Sequence, residues 1–248
     1  MTSRHTPLAA LALVSAMTVS LVAQEAPKTI LMSASCSPQV ARSSGDLPTI
    51  IGGQNSEPRT LFGKRETVVV DAGSSKGVQA GQQFYIRRTV INRYENAAGR
   101  HAAVTAGWLT ITAATENTAI GRIDFACDGI QAGDYLEPYA APTLPADVER
   151  TNAAGELDFS KPGRVLFGDH GRLTGGAGDF MLADIGEEQG AATGARYAVY
   201  RNLHADGLPL AAVGEAILVS VGEKDSLFRL TQTRDAVVAG DLLIPRRQ

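Results

Sequence analysis

Short apolar stretches alternate along this chain with polar, glycine-punctuated ones, a rhythm that suits strands and tight turns rather than long helices. Residues 67–71 read Thr-Val-Val-Val-Asp, a β-branched run that predicts a strand. Gln83–Val90 predicts a second. Leu109, Ile111 and Ala113 alternate with threonines, which gives a third strand one apolar face. Residues 118–125 predict a fourth, with Gly121 and Ile123 on one side and Arg122 on the other; Phe228, Leu230 and Arg229 repeat that arrangement. Gly133-Asp134 and Gly240-Asp241 read as turns into a closing strand, where Gly tolerates positive φ and the Asp carboxylate accepts backbone N–H groups.

These patterns occur twice. Asp71, Gly73, Gly77, Gly81, Phe84 and Arg88 return as Asp184, Gly186, Gly190, Gly194, Tyr197 and Arg201, at a constant offset of 113. Five of the 18 positions in this block are identical, where unrelated sequences share about one. A second block repeats at an offset of 107: Gly107, Glu116, Arg122, Asp128, Ala132, Gly133, Asp134, Leu136 and Pro138 return as Gly214, Glu223, Arg229, Asp235, Ala239, Gly240, Asp241, Leu243 and Pro245. The change of offset falls in a variable stretch, where a surface loop absorbs it. Leu61-Phe62-Gly63 is echoed by Leu166-Phe167-Gly168, which suggests a lead-in strand for each copy.

The expectation is therefore an all-β protein, two tandem copies of a small β-barrel-like domain. Its organisation reads as a signal peptide over 1–23, a flexible N-terminal arm over 24–58, copy 1 over 59–140, a Pro/Ala-rich linker over 141–160, and copy 2 over 161–248. The targeting segment rests on Arg4 and His5 ahead of an apolar run from Leu8 to Ala23, too short and weak for a comfortable membrane span. Cleavage is expected after Ala23, so membrane contact ends with the signal peptide.

The repeated strand ending in Asp-x-Gly, then Gly-x-x-x-Gly, then an aromatic and Arg (Phe84 and Arg88, Tyr197 and Arg201), and finally Ala-Gly-Asp, resembles a known β domain. It is the domain that follows the LysM module in some bacterial envelope proteins. The pattern is also similar to the C-terminal domain of flagellar assembly protein T. The likeness covers about residues 60–138 and 164–246. It implies a periplasmic, non-catalytic, structural or adaptor role. It carries no ligand residues over to this sequence, and no LysM module is visible in it.

Net charge is −3, from 23 basic and 26 acidic residues, so nothing steers the chain to nucleic acid or an anionic membrane surface. Two cysteines, Cys36 and Cys127, allow one disulfide in an oxidising compartment. Cys36 lies well beyond the apolar run, which argues against a lipid anchor there.

Reactive chemistry is sparse. Gly73-Ser74-Ser75-Lys76-Gly77 fits the nucleophile-elbow pattern and nominates Ser75 as a hydrolase serine. Copy 2 reads Gly186-Glu187-Glu188-Gln189-Gly190 at the same place: the glycines recur and the serine does not. His101, His170 and His204 are scattered and lack metal-ligand spacing, although Asp169, His170 and Asp179 stand close in sequence. The glycine-rich run over 168–178 lacks the Lys-Ser/Thr ending of a phosphate loop. No cofactor is expected. Arg88, Arg122, Arg201 and Arg229 recur between copies, as an anionic contact surface or as ion pairs with the recurring Glu116 and Glu223; the second is favoured. Trp108, the one tryptophan, has Glu215 as its counterpart in the repeat, so it marks either an interface or the edge of the core.

The resulting expectation is an exported, non-catalytic interaction or scaffold protein of the cell envelope, periplasmic or secreted, whose partner is an envelope protein or cell-wall glycan. Peptidoglycan or other glycan binding, and an accessory role in a flagellar or secretion assembly, are the alternatives. Serine hydrolysis is a distant one.

Overall fold

The computed structural model describes residues 28–40, 45–54, 59–90, 102–151, 154–203 and 208–247. The signal segment expected over 1–23, with His5, and also His101 and His204, lie outside these. Apart from one eight-residue helix, α1 (Lys28–Ser35), and single 3-10 turns, the described elements are strands. Every described strand pairing is antiparallel.

The first copy is built from β1 (Gln39–Val40), β2 (Ile50–Gly53), β3 (Leu61–Phe62), β4 (Thr67–Val70), β5 (Gln83–Val90), β6 (Ala102–Ala114), β7 (Ala119–Ala126), β8 (Ile130–Gln131) and β9 (Tyr135–Pro138). The second uses β10 (Glu156–Leu157), β11 (Gly163–Gly168), β12 (Thr174–Gly175), β13 (Phe180–Ala183), β14 (Arg196–Arg201), β15 (Ala211–Val221), β16 (Ser226–Thr233), β17 (Val237–Val238) and β18 (Leu242–Arg247). The predicted strand at Gln83–Val90 is observed with those bounds, and those near 67–71 and 118–125 differ by a residue at their ends.

Both copies follow one topology, and each curls its sheet around an apolar interior. The first runs β2-β4-β7-β6-β5-β9, a half-barrel whose ends meet at the single bridge Thr49–Tyr135. The second closes into a six-stranded barrel, because β18 pairs with both β11 and β14. Pro48 explains part of the difference. It stands where the second copy has Gly163, which pairs with Leu243. Proline offers the carbonyl, and Leu136 N donates to it at 2.8 Å, but it has no N–H to extend the ladder.

Equivalent inward positions fill the two interiors. Val68, Ile86, Ile111, Ile123 and Leu136 in the first correspond to Met181, Val199, Leu218, Leu230 and Leu243 in the second. All ten are buried, each contributing roughly 1.5–3 kcal/mol of transfer free energy.

Two stretches differ from the sequence expectation. The described part of 24–58 is not a free arm: it supplies α1, β1 and β2, and the first domain therefore begins well before residue 59. The stretch 141–160 is not a free linker either. Val148 is buried, Leu144 packs beside it, and β10 pairs with the end of β18.

The lead-in echo is also misplaced. Ile50 N donates to Asp134 O and Val165 N to Asp241 O, both at 2.9 Å, so β2 corresponds to β11. Leu61 and Phe62 instead pair with Gln131 and Ile130, as Thr174 and Gly175 pair with Val238 and Val237. The offset of 113 thus extends back through β3, and the match with Leu166-Phe167 is coincidental.

A third apolar cluster joins the copies. Ile30 and Ala34 of α1, Ala102 of β6 and Val148 lie against Leu166, Phe167, Phe180, Leu182, Ile217, Val219 and Leu227 on the outside of the second barrel. The cause is legible in side-chain type. At the positions of Phe180, Ile217 and Val219 the first copy has Thr67, Thr110 and Thr112, so its outer face has much less need of cover. A disulfide between Cys36 and Cys127, with Cα atoms 5.7 Å apart, fastens the end of α1 to the first barrel. Arg234 occupies the place of Cys127 in the second copy, so the link is not duplicated.

Candidate functional site

The residues that recur between copies build turns and clips. Arg88 Nε and Nη2 reach Asp134 Oδ1 and Oδ2 at 2.8 and 2.9 Å, and Nη2 also donates to Gly129 O at 2.7 Å. Arg201 makes the same contacts with Asp241 at 3.0 and 2.9 Å and with Ala236 O at 2.5 Å. Each aspartate also accepts a backbone N–H, from Gln131 or Val238 at 2.9 or 2.8 Å. Gly133 and Gly240 precede them at φ 93°, where a side chain is disfavoured. The clip thereby ties the second long strand of each copy to the turn that opens its last strand. Its hydrogen bonds to Asp241 raise the Arg201 pKa above the usual arginine value.

The other repeated carboxylate does similar work. Asp71 accepts from Thr49 N at 2.6 Å and Thr49 Oγ1 at 2.8 Å, and Asp184 accepts from Arg164 N at 2.6 Å. Gly73 and Gly186 pass so close to the Thr115 and Glu223 carbonyl oxygens that a Cβ would overlap them. Gly77 and Gly190 end short 3-10 turns in the left-handed region, and Gly81 and Gly194 also have positive φ. Ser75 lies in the first of these turns, exposed, with its hydroxyl donating to Glu116 O at 2.6 Å.

The expected arginine–glutamate pairs are not what forms. Arg122 meets Asp124 at 3.4 Å, and Arg229 donates to Val148 O at 3.1 Å. The Glu116 and Glu223 carbonyls accept backbone N–H groups from Ser75 and Glu188. Arg88, Arg201 and Arg229 are therefore engaged inside the chain, whereas Arg122 keeps 57 % of its side chain exposed. His170, the one histidine among the described residues, faces Asp128 of the first copy at 3.7 Å and Asp169 at 3.5 Å. Burial pushes the Asp169 carboxyl up, and His170 opposes that. Asp179 accepts instead from Gly176 N at 2.9 Å. Among the described residues no group of three His, Cys, Asp or Glu side chains is placed to hold a metal ion.

One surface differs sharply between copies. On the outside of the first sheet, cross-strand register sets Tyr85 opposite Trp108 and Trp108 opposite Phe125. Trp108 stacks on Phe125 with ring centres 4.7 Å apart and planes 16° apart, and Tyr139 lies 5.7 Å from Trp108 and 4.6 Å from Tyr85. Cations cap both ends: Lys64 Nζ sits 5.3 Å from the Phe125 ring and the Arg87 guanidinium 4.3 Å from Tyr85. Gln83, Thr110, Asp124 and Arg122 run alongside, with Thr110 Oγ1 donating to Asp124 at 2.5 Å. In the second copy Ala198, Glu215, Gln232 and Arg246 replace the four rings, and Glu215 pairs with Arg246 at 2.6 Å.

Trp108 stands out in the sequence, but the row does not. Tyr85, Phe125 and Tyr139 are far apart along the chain, and only strand register gathers them. The signal that was available is the repeat itself, since all four positions lose their aromatic together in the second copy.

Beside the row, a cleft of about 620 Å³ separates the copies, bordered by Ala34, Tyr85, Arg87, Leu144, Val219 and Leu227. Its two largest polar side chains, Tyr85 and Arg87, are already engaged. Tyr85 Oη donates to Ala140 O at 2.8 Å, and Arg87 reaches Glu137 at 3.2 Å and the Thr105 hydroxyl. Burial pulls the Arg87 pKa down, opposed by Glu137, and pushes the Tyr85 phenol up.

No family model matches this chain, and a search of curated proteins returns no match.

Proposed function

We propose that the chain is an exported, non-catalytic interaction or scaffold module of the cell envelope, periplasmic or secreted, that meets its partner through the outer face of the first barrel. The observation that carries this reading is the contrast between copies. What they share bends and clips the backbone. What they do not share is a rigid aromatic row with a polar margin on one side only. Aromatic side chains give contact area at low entropic cost, which suits recognition. The disulfide fits an oxidising compartment and so supports export. The likeness to domains that follow LysM modules and to flagellar assembly protein T points the same way.

A protein partner is favoured over a glycan. Trp108 and Phe125 stack on each other, and Lys64 caps Phe125, so little ring face is left for a sugar to lie against.

The test combines fractionation of cells producing the full chain with hydrolysis assays on generic esters and cell-wall material. Recovery in the envelope or medium without turnover is expected. Retention in the cytosol, or turnover abolished by Ser75→Ala, would overturn the proposal. A pull-down on purified sacculi that depends on Trp108 would favour the glycan reading instead.

A further inference from the structure

The second barrel already shows what this face of the fold can hold. Across it runs the segment Asp147-Val148-Glu149, a turn that is acidic around an apolar centre, with Val148 N donating to Pro145 O at 3.1 Å and Arg150 N to Asp147 O at 2.9 Å. Val148 is 1 % exposed. Arg196 grips the segment through Asp147 Oδ2 at 2.6 Å and Arg150 O at 2.7 Å, and Arg229 donates to Val148 O at 3.1 Å. In the first copy Arg122 stands at the position of Arg229 and Gln83 at that of Arg196.

The matching face of the first copy is more cationic at its edge. Lys64 and Arg65 are exposed beside Phe125, where the second copy has Ala177 and Gly178. Arg65 also occupies an unfavourable backbone conformation. Its φ is 72°, and its counterpart Gly178 has φ 94°. Both make the same turn, with Arg65 N donating to Ile123 O at 2.8 Å and Gly178 N to Leu230 O at 2.7 Å. A glycine therefore serves the turn, and a residue with a Cβ is sterically disfavoured there. A strained residue that the fold does not require points to a role outside the fold.

We propose that the edge formed by Lys64, Arg65 and Arg122, with Phe125 and Trp108 beside it, binds an acidic–apolar segment of a partner protein. This rests on reading the chain as an interaction module. The carboxylates of the segment meet the three cations, and its apolar side chain packs against the aromatic row, as Val148 packs on the second barrel.

The experiment uses the full mature chain and three immobilised probes: a random copolymer of glutamate and tyrosine, polyglutamate, and alginate. The wild-type chain should bind the copolymer more tightly than polyglutamate, and less tightly as salt rises. The double variant Arg65→Gly with Arg122→Gln should lose affinity on the order of tenfold, because two charge contacts go. Arg65→Gly alone should weaken binding yet melt at or above the wild-type temperature, an outcome that a purely structural role for Arg65 does not give. Equal binding by wild type and double variant would overturn the proposal. So would polyglutamate binding as tightly as the copolymer, or alginate binding as tightly with the same loss, which would assign the face to an anionic glycan. If the polymers fail while the chain still fractionates with the envelope, this proposal falls and the module reading stands. Retention in the cytosol would sink the module reading whatever the polymers do.

Discussion

Arg88 and Asp134 form a two-pronged ion pair in which the carboxylate is 1 % exposed and the arginine 25 %. Breaking it from the two sides has different consequences. Arg88→Ala strands a buried negative charge with little beyond the Gln131 N–H to stabilise it. Asp134→Ala leaves an arginine that still reaches water. We expect Arg88→Ala to cost about 3 kcal/mol and Asp134→Ala less, with the double variant more stable than the sum of losses predicts by about 1–3 kcal/mol. Urea denaturation of the four proteins measures that coupling, and Arg201 with Asp241 should give a second cycle of the same sign.

The repeated glycines separate into two kinds. Gly77 has φ 77° and open space around its Cβ direction, so Gly77→Ala should cost only about 1 kcal/mol of backbone strain. Gly73 faces the Thr115 and Glu116 backbone instead, which cannot swing aside as a side chain can. Gly73→Ala should be distinctly more destabilising than Gly77→Ala in thermal melts. Gly186→Ala should match it, because Gly186 lies against Gly222 and Glu223 in the same way.

The disulfide closes a loop with a sequence separation of 91. A closure of that size stabilises by about 4.6 kcal/mol in the chain-entropy model. Replacing both cysteines with serine should lower the melting temperature. It should also raise binding of a hydrophobic dye such as ANS, because Ile30 and Ala34 of α1 help cover the apolar outside of the second barrel. A double-serine variant with wild-type stability and dye binding would show that α1 is held without the link.

Asp158 predicts an acid-sensitive contact. Hydrogen bonds from Ser160 and then Arg247 hold its carboxyl down from the usual 3.8 to about 2. Because the folded-state value is the lower one, its stabilising contribution is complete above the usual value and disappears as pH falls toward about 2. Wild type should therefore melt higher than Asp158→Asn near neutral pH, with the two curves converging at the acid end. A constant gap across that range would count against this origin.

Much of the architecture was legible because strand periodicity and turn glycines are local signals. Gln83–Val90 announces itself, and Gly133-Asp134 repeats as Gly240-Asp241 with its turn intact. β2 was missed because Ile50-Ile51-Gly52-Gly53 is short and half glycine, and its identity lies in long-range bonds to Asp134 and the β4 strand. The Leu61-Phe62-Gly63 echo misled for the complementary reason, since three matching letters without register carry no partner information. Recurrence alone points the arginines to Glu116 and Glu223. Asp134 and Asp241 recur equally well, and only the fold shows that Arg88 and Arg201 reach them.

The outside of the second barrel is occupied by α1 and the 144–148 stretch, and that occupancy bears on stoichiometry. Although the chain carries one fold twice, among the described residues only the first of the two copies bears the aromatic face. A ligand specific for the face would saturate at one molecule per polypeptide, so the internal duplication has not made the protein bivalent there. Any clustering of partners would have to come from bringing several chains together.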